Sequence, residues 1–325
     1  MTGVPKSECP EMSFLNKIKM QALKVRNLNK TYPGKVIALK EINFTVEKGE
    51  VFGLVGPDGA GKSTLFNILT TLLLPDSGEL KMLDMDVIKD YLNIRKVIGY
   101  LPGTFSLYPD LTVQENLLFF ATMYKSSIKD NISLIGPIWK QLVPFKNRRA
   151  GKLSGGMKQK LALCCALIHK PEILFLDEPT TGVDPVSRRE FWDILKSIQN
   201  QGITVVVSTP YMDEATRCDR IALIQDGEII KINTPANIID NFKGKLFTFK
   251  SHNIFELLKV MEKCHLRCNY YPYGENFHIA FYDDVETALP LFELFLQENH
   301  QLYGEIIPII PTIEDCFIEL VQMKL

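Results

Sequence analysis

Gly56-Pro57-Asp58-Gly59-Ala60-Gly61-Lys62-Ser63-Thr64 carries the plainest chemistry in the chain. It fits G-x-x-G-x-G-K-[ST], one form of the phosphate-binding loop. The glycines let successive backbone N–H groups converge on one anion. A helix opening at Lys62 would add the partial positive charge of its N-terminus. In such a loop the Lys bridges the β- and γ-phosphates of a nucleoside triphosphate, and Ser63 offers its hydroxyl to Mg²⁺. An ordinary glycine-rich turn has no need of Lys-Ser in this register.

A second centre is Asp177-Glu178, at the end of the apolar run Ile173–Leu176. Asp177 is suited to hold Mg²⁺ through water. Glu178 could orient and deprotonate an attacking water. The plain alternative is a pair of solvated acids at a strand end. The third centre is Leu153-Ser154-Gly155-Gly156-Met157-Lys158-Gln159. Ser154 and the amides of Gly155 and Gly156, at a helix N-terminus, make an anion site.

Particular elements must hold these centres. Val51–Val55 reads as a buried parallel strand running into the loop. Lys62–Leu74 reads as the helix after it, closed by Pro75-Asp-Ser-Gly78. Upstream, Ala22–Leu28 alternates apolar and polar residues, a strand signal, and Val36–Val46 is a second strand region. The stretch from about 85 to 170 reads as mostly helical. Thr112-Val-Gln-Glu115 is a capping box. Ser154 opens a further helix that Pro171 terminates. Ile173–Leu176 and Ile203–Ser208 are short buried strands, and Ile221–Gln225 with Glu228–Ile232 reads as a hairpin about Asp226-Gly227. Strands alternating with helices predict an α/β fold on a largely parallel sheet.

After Pro235 the texture changes. Strand-like segments near 245–250, 267–272, 276–282 and 302–309 alternate with helices near 253–263, 285–298 and 312–322. That βαββαβα order predicts a small α+β domain. Residues 1–20 read as an N-terminal extension.

Composition bounds the function. The chain has 325 residues, 46% of them hydrophobic, and a net charge of −1 from 37 basic and 38 acidic side chains. That balance argues against a duplex nucleic-acid partner. No uncharged apolar stretch approaches the roughly 18–20 residues that span a bilayer. Lys17 and Lys19 interrupt the apolar patch near the N-terminus, so a secretory leader is not expected. These readings predict a cytoplasmic protein that reaches the membrane through a partner. Seven cysteines, an odd number, fit reduced thiols. Cys264, His265 and Cys268 do not have a usual zinc spacing.

The phosphate loop, the Leu153–Gly156 segment, the Asp177-Glu178 strand end and Thr181-Gly-Val-Asp184 follow one another in a characteristic order. In this the chain resembles the ATP-binding-cassette (ABC) family over about residues 22–235. The resemblance implies a P-loop NTPase domain at 21–235: a mixed-sheet core plus a helical subdomain at about 85–170. The α+β domain of 236–325 would follow it. The resemblance also implies ATP and Mg²⁺ as ligands, and two nucleotide-binding domains paired head to tail, as homo- or heterodimer. Leu153–Met157 is then the signature that closes over the partner's ATP, Asp184 lies in the D-loop, and Tyr32 stacks on adenine.

Leu111-Thr-Val-Gln-Glu-Asn-Leu117, Tyr211-Met-Asp-Glu-Ala215 and Pro311–Leu320 are similar to ABC-2-type exporters with separate membrane subunits. Gly56–Gly59 and Ala150–Lys160 look most like the first cassette of tandem-cassette exporter ATPases. The implied assembly has integral membrane permease subunits, which hold the chain on the inner face of the membrane and touch Gly103–Glu115. The alternative is a non-transport ABC protein with a regulatory role.

Two positions depart from the family pattern. Where the family places a Gln after the strand ending near Leu101-Pro102, this chain has Gly103. Where it places a His after Ser208-Thr209, this chain has Pro210. Both family residues contact the reacting phosphate region. Their loss predicts a loop that binds ATP but hydrolyses it slowly, in one half of an asymmetric pair.

Overall fold

Val51-Phe-Gly-Leu-Val55 and Ile173-Leu-Phe-Leu-Asp177 are buried at every residue. Strands of this kind need cover on both faces, which a central parallel sheet with flanking layers supplies. The computed structural model describes residues 20–129 and 131–323. Apart from Met20, the expected N-terminal extension lies outside the described residues.

The chain runs through β1 (Gln21–Tyr32), β2 (Val36–Glu47), β3 (Val51–Val55), α1 (Lys62–Leu69), β4 (Ser77–Met82), β5 (Met85–Asp86), α2 (Tyr91–Val97) and β6 (Ile98–Leu101). A helical stretch follows, with α3 (Val113–Met123), α4 (Ile132–Leu142) and α5 (Gly155–Leu167). Next come β7 (Ile173–Asp177), α6 (Pro185–Gln199), β8 (Thr204–Thr209), β9 (Arg220–Gln225), β10 (Glu228–Asn233) and α7 (Pro235–Asp240). The last part comprises β11 (Lys245–Lys250), α8 (Ile254–Met261), β12 (Cys268–Tyr273), β13 (Asn276–Phe281), α9 (Val285–Glu298), β14 (Ile307–Pro308) and α10 (Ile313–Gln322).

The central sheet has the order β10-β9-β3-β8-β7-β6, parallel except for the β9–β10 hairpin. An antiparallel sheet, β2-β1-β4-β5, covers one side. Successive residues of β3 face opposite cores. Phe52 and Leu54 pack with Phe66 and Phe175 under the antiparallel sheet, while Val51 and Val55 pack with α5 and α6 on the other side. A third sheet, β12-β13-β11-β14, carries its own core of Phe249, Phe277, Phe281 and Phe292 against α8 and α9.

Helix α10 joins the parts. Ile313 and Cys316 belong to the core that contains Ala215, Cys218 and Ile238. On the same helix the fully buried carboxylate of Asp315 turns to the third sheet. It accepts from Tyr271 Oη at 2.7 Å and pairs with His278 Nδ1 at 2.8 Å. Among the described residues no helix is long and apolar enough to cross a membrane.

Three elements differ from the sequence reading. The first strand continues past Leu28 to Tyr32, paired with β2 and joined by the turn at Pro33-Gly34. The helix after the loop stops at Leu69, not Leu74. There the Thr70 hydroxyl donates to Phe66 O at 2.8 Å, and Thr71 enters the left-handed region at φ 65°. The strand-like stretch near 302–309 shrinks to Ile307–Pro308 and an isolated bridge at Tyr303. Helix α3 keeps the expected capping box, with Thr112 and Glu115 bonded reciprocally.

Candidate active site

The loop between β3 and α1 is shaped by close approaches. A Cβ on Gly56 would lie 2.2 Å from Ile224 O, so only glycine fits there. Gly61, at the N-cap of α1, has φ +100°, and a Cβ on it would lie 2.5 Å from Ala38 O. Gly59 also takes a positive φ, but with open space beside it. Ala60 is pinned from both directions, its N–H donating to Pro57 O and its carbonyl accepting from Gly227 N.

Lys62 points back into this loop and is 3% exposed. Its Nζ donates to the carbonyls of Gly56 and Pro57, each at 2.9 Å. It also lies 3.1 Å from Glu178 Oε1 and 3.9 Å from Asp58 Oδ1. The loop lysine and the carboxylate after β7 therefore meet. Ser63 is exposed at the start of α1. Next to it, Thr64 Oγ1 lies 3.4 Å from the Tyr32 hydroxyl. The β1 terminus thus brings the expected adenine-stacking residue to the loop.

Strand β8 organises the acids of β7. Ser208 sits in register beside Asp177. Its hydroxyl donates to Asp177 Oδ1 at 2.5 Å and accepts from Glu178 N–H at 2.9 Å. Glu178 takes a left-handed backbone, φ 49°, which is uncommon for a non-glycine residue. Thr181 Oγ1 reaches its other carboxylate oxygen at 3.4 Å. Asp177 is 4% exposed, and its charge together with burial raises the Tyr100 phenol above its usual range, burial being the larger cause.

The next residue, Thr209, donates to the buried Glu214 at 2.6 Å and accepts from Tyr211 N. Arg188 lies 3.6 Å from Glu214 Oε1, with its guanidinium 4.1 Å from the Tyr211 ring centroid. Sequence reasoning missed Ser208, Thr209, Glu214 and Arg188 as parts of the site. The available signal was the in-register pairing of two strands that both end in polar residues.

Gly103 lies against Asp177. A Cβ there would be 3.2 Å from Asp177 O and 4.0 Å from Asp177 Oδ2. Pro210 follows Thr209 directly, on the rim of a cavity of about 670 Å³ that Tyr273 and Pro311–Glu314 also line. His169 is engaged elsewhere, with Nε2 2.8 Å from Ile98 O and its ring stacked 3.9 Å from Tyr124.

The Leu153–Met157 segment and Asp184 form a second centre. Ser154 is the N-cap of α5, and its side chain makes no capping hydrogen bond. Leu153 is buried. Gly155 approaches Gly182 O, and Gly156 approaches Ser187, where a Cβ would come within 2.9 Å of the Ser187 Cβ. Both glycines thus fit the helix end against the Thr181–Asp184 turn. Asp184 caps α6, accepting from Val186 N and Ser187 N, and those bonds hold its carboxyl below the usual range. Among the described residues no hydrogen bond or ion pair joins this centre to the phosphate loop.

A glycine loop with its lysine, a strand-end carboxylate pair and a separate Ser-Gly-Gly helix start are the parts of one known machine. Sequence comparison agrees with that reading. The profile of the family described as "ABC transporter" matches residues 39–181. The Nod factor export ATP-binding protein I of Burkholderia orbicola is 37% identical over 222 residues, covering 67% of this chain and 73% of that protein. The chain belongs to the ABC transporter ATP-binding family.

The "Probable multidrug ABC transporter ATP-binding protein YbhF" of Escherichia coli is 41% identical over 243 residues. That match takes in 73% of the present cassette chain but only 42% of the relative's length. Solved cassettes have the same fold. CbiO1 from Clostridium perfringens, part of an ABC transporter complex, matches with TM-score 0.62 and 28% identity, over 69% of this chain and 92% of that one. A dimeric ATP-binding cassette in a post-hydrolysis state with ADP and Pi matches with TM-score 0.59 and 30% identity, over 65% and 98%.

Proposed function

We propose that this chain is the ATP-binding subunit of an ABC-type exporter, and that its own phosphate loop binds Mg-ATP but turns it over slowly. The Escherichia coli relative names a multidrug transporter and the Burkholderia orbicola one a Nod factor exporter, and these names favour export over a regulatory role without transport. The substrate class does not follow from this chain, because fold-level likeness does not carry it.

The observation that carries slow turnover is Gly103 beside the Asp177 carboxylate, where the family's Gln would contact Mg²⁺ and the attacking water. Pro210 removes the second such contact. ATP would sit with its phosphates on the Gly56–Thr64 amides and on Lys62, its adenine against Tyr32. The donors suit a hard cation: the Ser63 hydroxyl and the Asp177 carboxylate are oxygen ligands of the kind Mg²⁺ takes, directly or through water. When bound, Mg²⁺ would neutralise charge on the phosphates. Glu178 would take the proton from the attacking water, and Lys62 holds its carboxylate beside the loop.

Ser154 and the Gly155 and Gly156 amides would complete the site of a second ABC domain, as homo- or heterodimer. Integral membrane permease subunits would anchor the pair at the cytoplasmic face. The proposed division is 21–235 for the cassette, with its helical subdomain at about 85–170, and 236–325 for the C-terminal domain. The test uses Glu178→Gln in the full chain with ATP and Mg²⁺. The expected outcome is an ATP-dependent dimer by light scattering, together with a low ATPase rate for the unmodified chain alone. A vigorous rate from that purified chain would refute the slow-site reading, and the absence of any ATP-dependent dimer both for the chain alone and in a screen against second ABC domains would refute the composite one.

A further inference from the structure

A cavity of about 670 Å³ lies beside Pro210, where the cassette meets the third sheet. Four elements line it: the short turn Met212–Arg217 that follows β8, then α7, β12 and the start of α10. Among the described residues, none of the phosphate loop or of Leu153–Met157 takes part in that lining. Small-molecule sites span roughly 300–1,000 Å³ and favour seams of this kind. Met212 and Ile239 make the wall apolar, and Tyr211 and Tyr273 add half-buried rings. Both rings are braced. The Arg188 guanidinium lies 4.1 Å from the Tyr211 centroid, and Tyr273 stacks on His278 at 4.3 Å. His278 is in turn bonded to buried Asp315. Walls held in place beforehand lose little freedom when a ligand binds.

We propose that this cavity binds a lipophilic organic cation, a flat aromatic body with a delocalised positive charge. The sign of the charge follows from the lining. Its acids are Asp213 and Glu314, one from each side of the seam. Among the described residues neither forms an ion pair, and no Lys or Arg lines the cavity. Arg188, beside Tyr211, already faces the buried Glu214 carboxylate at 3.6 Å.

Each part of the lining acts on such a ligand. The apolar wall takes its flat body out of water. A tyrosine face attracts a cation through the ring quadrupole. Asp213 and Glu314 supply the opposite charge. An anion of the same shape would meet two like charges, and a neutral one would gain burial alone. Burial first, and then the Glu314 charge, push the Tyr273 phenol up, as expected where that carboxylate stands near the ring. Binding here needs no nucleotide and no second cassette, so it does not rest on the turnover proposed for the phosphate loop.

The experiment titrates the full chain, freed of nucleic acid by nuclease, with ethidium, a flat aromatic cation whose fluorescence rises on leaving water. The proposal expects saturable binding of one ethidium per chain. Asp213→Asn with Glu314→Gln should weaken it at least tenfold. Thr216→Trp, which fills the cavity from an exposed lining position, should abolish it. Urea midpoints matching that of the unmodified chain establish that these variants are folded. The anionic dye 8-anilinonaphthalene-1-sulfonate should not displace ethidium, and neither should Mg-ATP. Undiminished binding by the folded Asp213→Asn, Glu314→Gln chain would overturn the proposal. Competitive displacement by ATP would also overturn it, because the dye would then sit on the phosphate loop. So would the absence of saturable binding for both ethidium and a second flat cation, acridine orange.

Discussion

At the scale of single residues, Ser208 deserves equal weight with the acids it touches. One hydroxyl donates to Asp177 and receives from the Glu178 N–H, so it fixes both the carboxylate that would face Mg²⁺ and the backbone of the proposed base. Glu178 holds a left-handed backbone, which persists only where neighbours impose it. Ser208→Ala should lower kcat by about 10-fold while ATP affinity changes little, because binding rests on the loop and Lys62. Steady-state kinetics of the assembled ATPase, with nucleotide binding measured separately, checks this. Restoring the absent contacts is the converse trial. A lost transition-state contact costs about 10²–10³ in rate, so Gly103→Gln with Pro210→His should raise turnover of the isolated chain at least tenfold. Gly103→Gln alone should give less, since a side chain there must displace Asp177 O by a few tenths of an ångström and the groups act as a unit.

At the scale of elements, α10 ties the third sheet to the segment after Pro210. Its apolar side enters the core with Ala215 and Ile238, and Asp315 on the same helix binds His278 and Tyr271. Asp315 also closes the capping box with Thr312. Burial pushes this carboxyl up, but bonds from His278, Thr312 and Tyr271 outweigh burial and hold it below the usual range. A depressed carboxylate stabilises the fold above its unfolded pKa, about 3.9, and loses that contribution as pH falls through the lower folded value. Asp315→Asn should therefore destabilise by about 1–3 kcal/mol at pH 7, the cost of poorly satisfied buried partners. The difference from the unmodified chain should shrink below pH about 4. Urea midpoints across pH measure both. Such a tie is tertiary and leaves no local pattern, which is why the sequence shows α10 but not its dual contact. Local signals were reliable where local physics decides. The apolar runs of β3 and β7 and the Thr112 capping box could be read directly. The 302–309 stretch misled because Ile306, Ile307, Ile309 and Ile310 look strand-like, while Pro308 and Pro311 remove ladder donors. The loop, Asp177 and the Ser154 helix were legible from spacing alone. The Lys62–Glu178 contact and the Ser208 bridge needed the sheet order.

At the scale of the whole molecule, no hydrogen bond or ion pair among the described residues joins the Ser154 helix start to the phosphate loop of its own chain, which leaves that start open to a second copy or a relative. Gly155 and Gly156 pack against the Gly182–Ser187 segment of their own chain, so the start of α5 is set by that segment and not by the phosphate loop. The Ser154 side chain is not spent on capping α5. A polar group at a helix N-terminus, beside free N–H groups, suits a phosphate that another chain presents. Ser154→Arg should then leave ATP binding by the isolated chain within about twofold, since affinity there comes from its own loop and a remote exposed substitution is close to additive. In an assembly with a second cassette the same change should cut turnover at the partner's site by about 10²-fold or more, the scale of losing a preorganised phosphate contact. Fluorescent-nucleotide titration of the chain alone, set beside ATPase of the assembly, separates the two effects. If Ser154→Arg instead weakened nucleotide binding by the isolated chain as strongly as it slowed the assembly, the signature would be serving its own loop, and the division of labour between two paired cassettes would have to be abandoned.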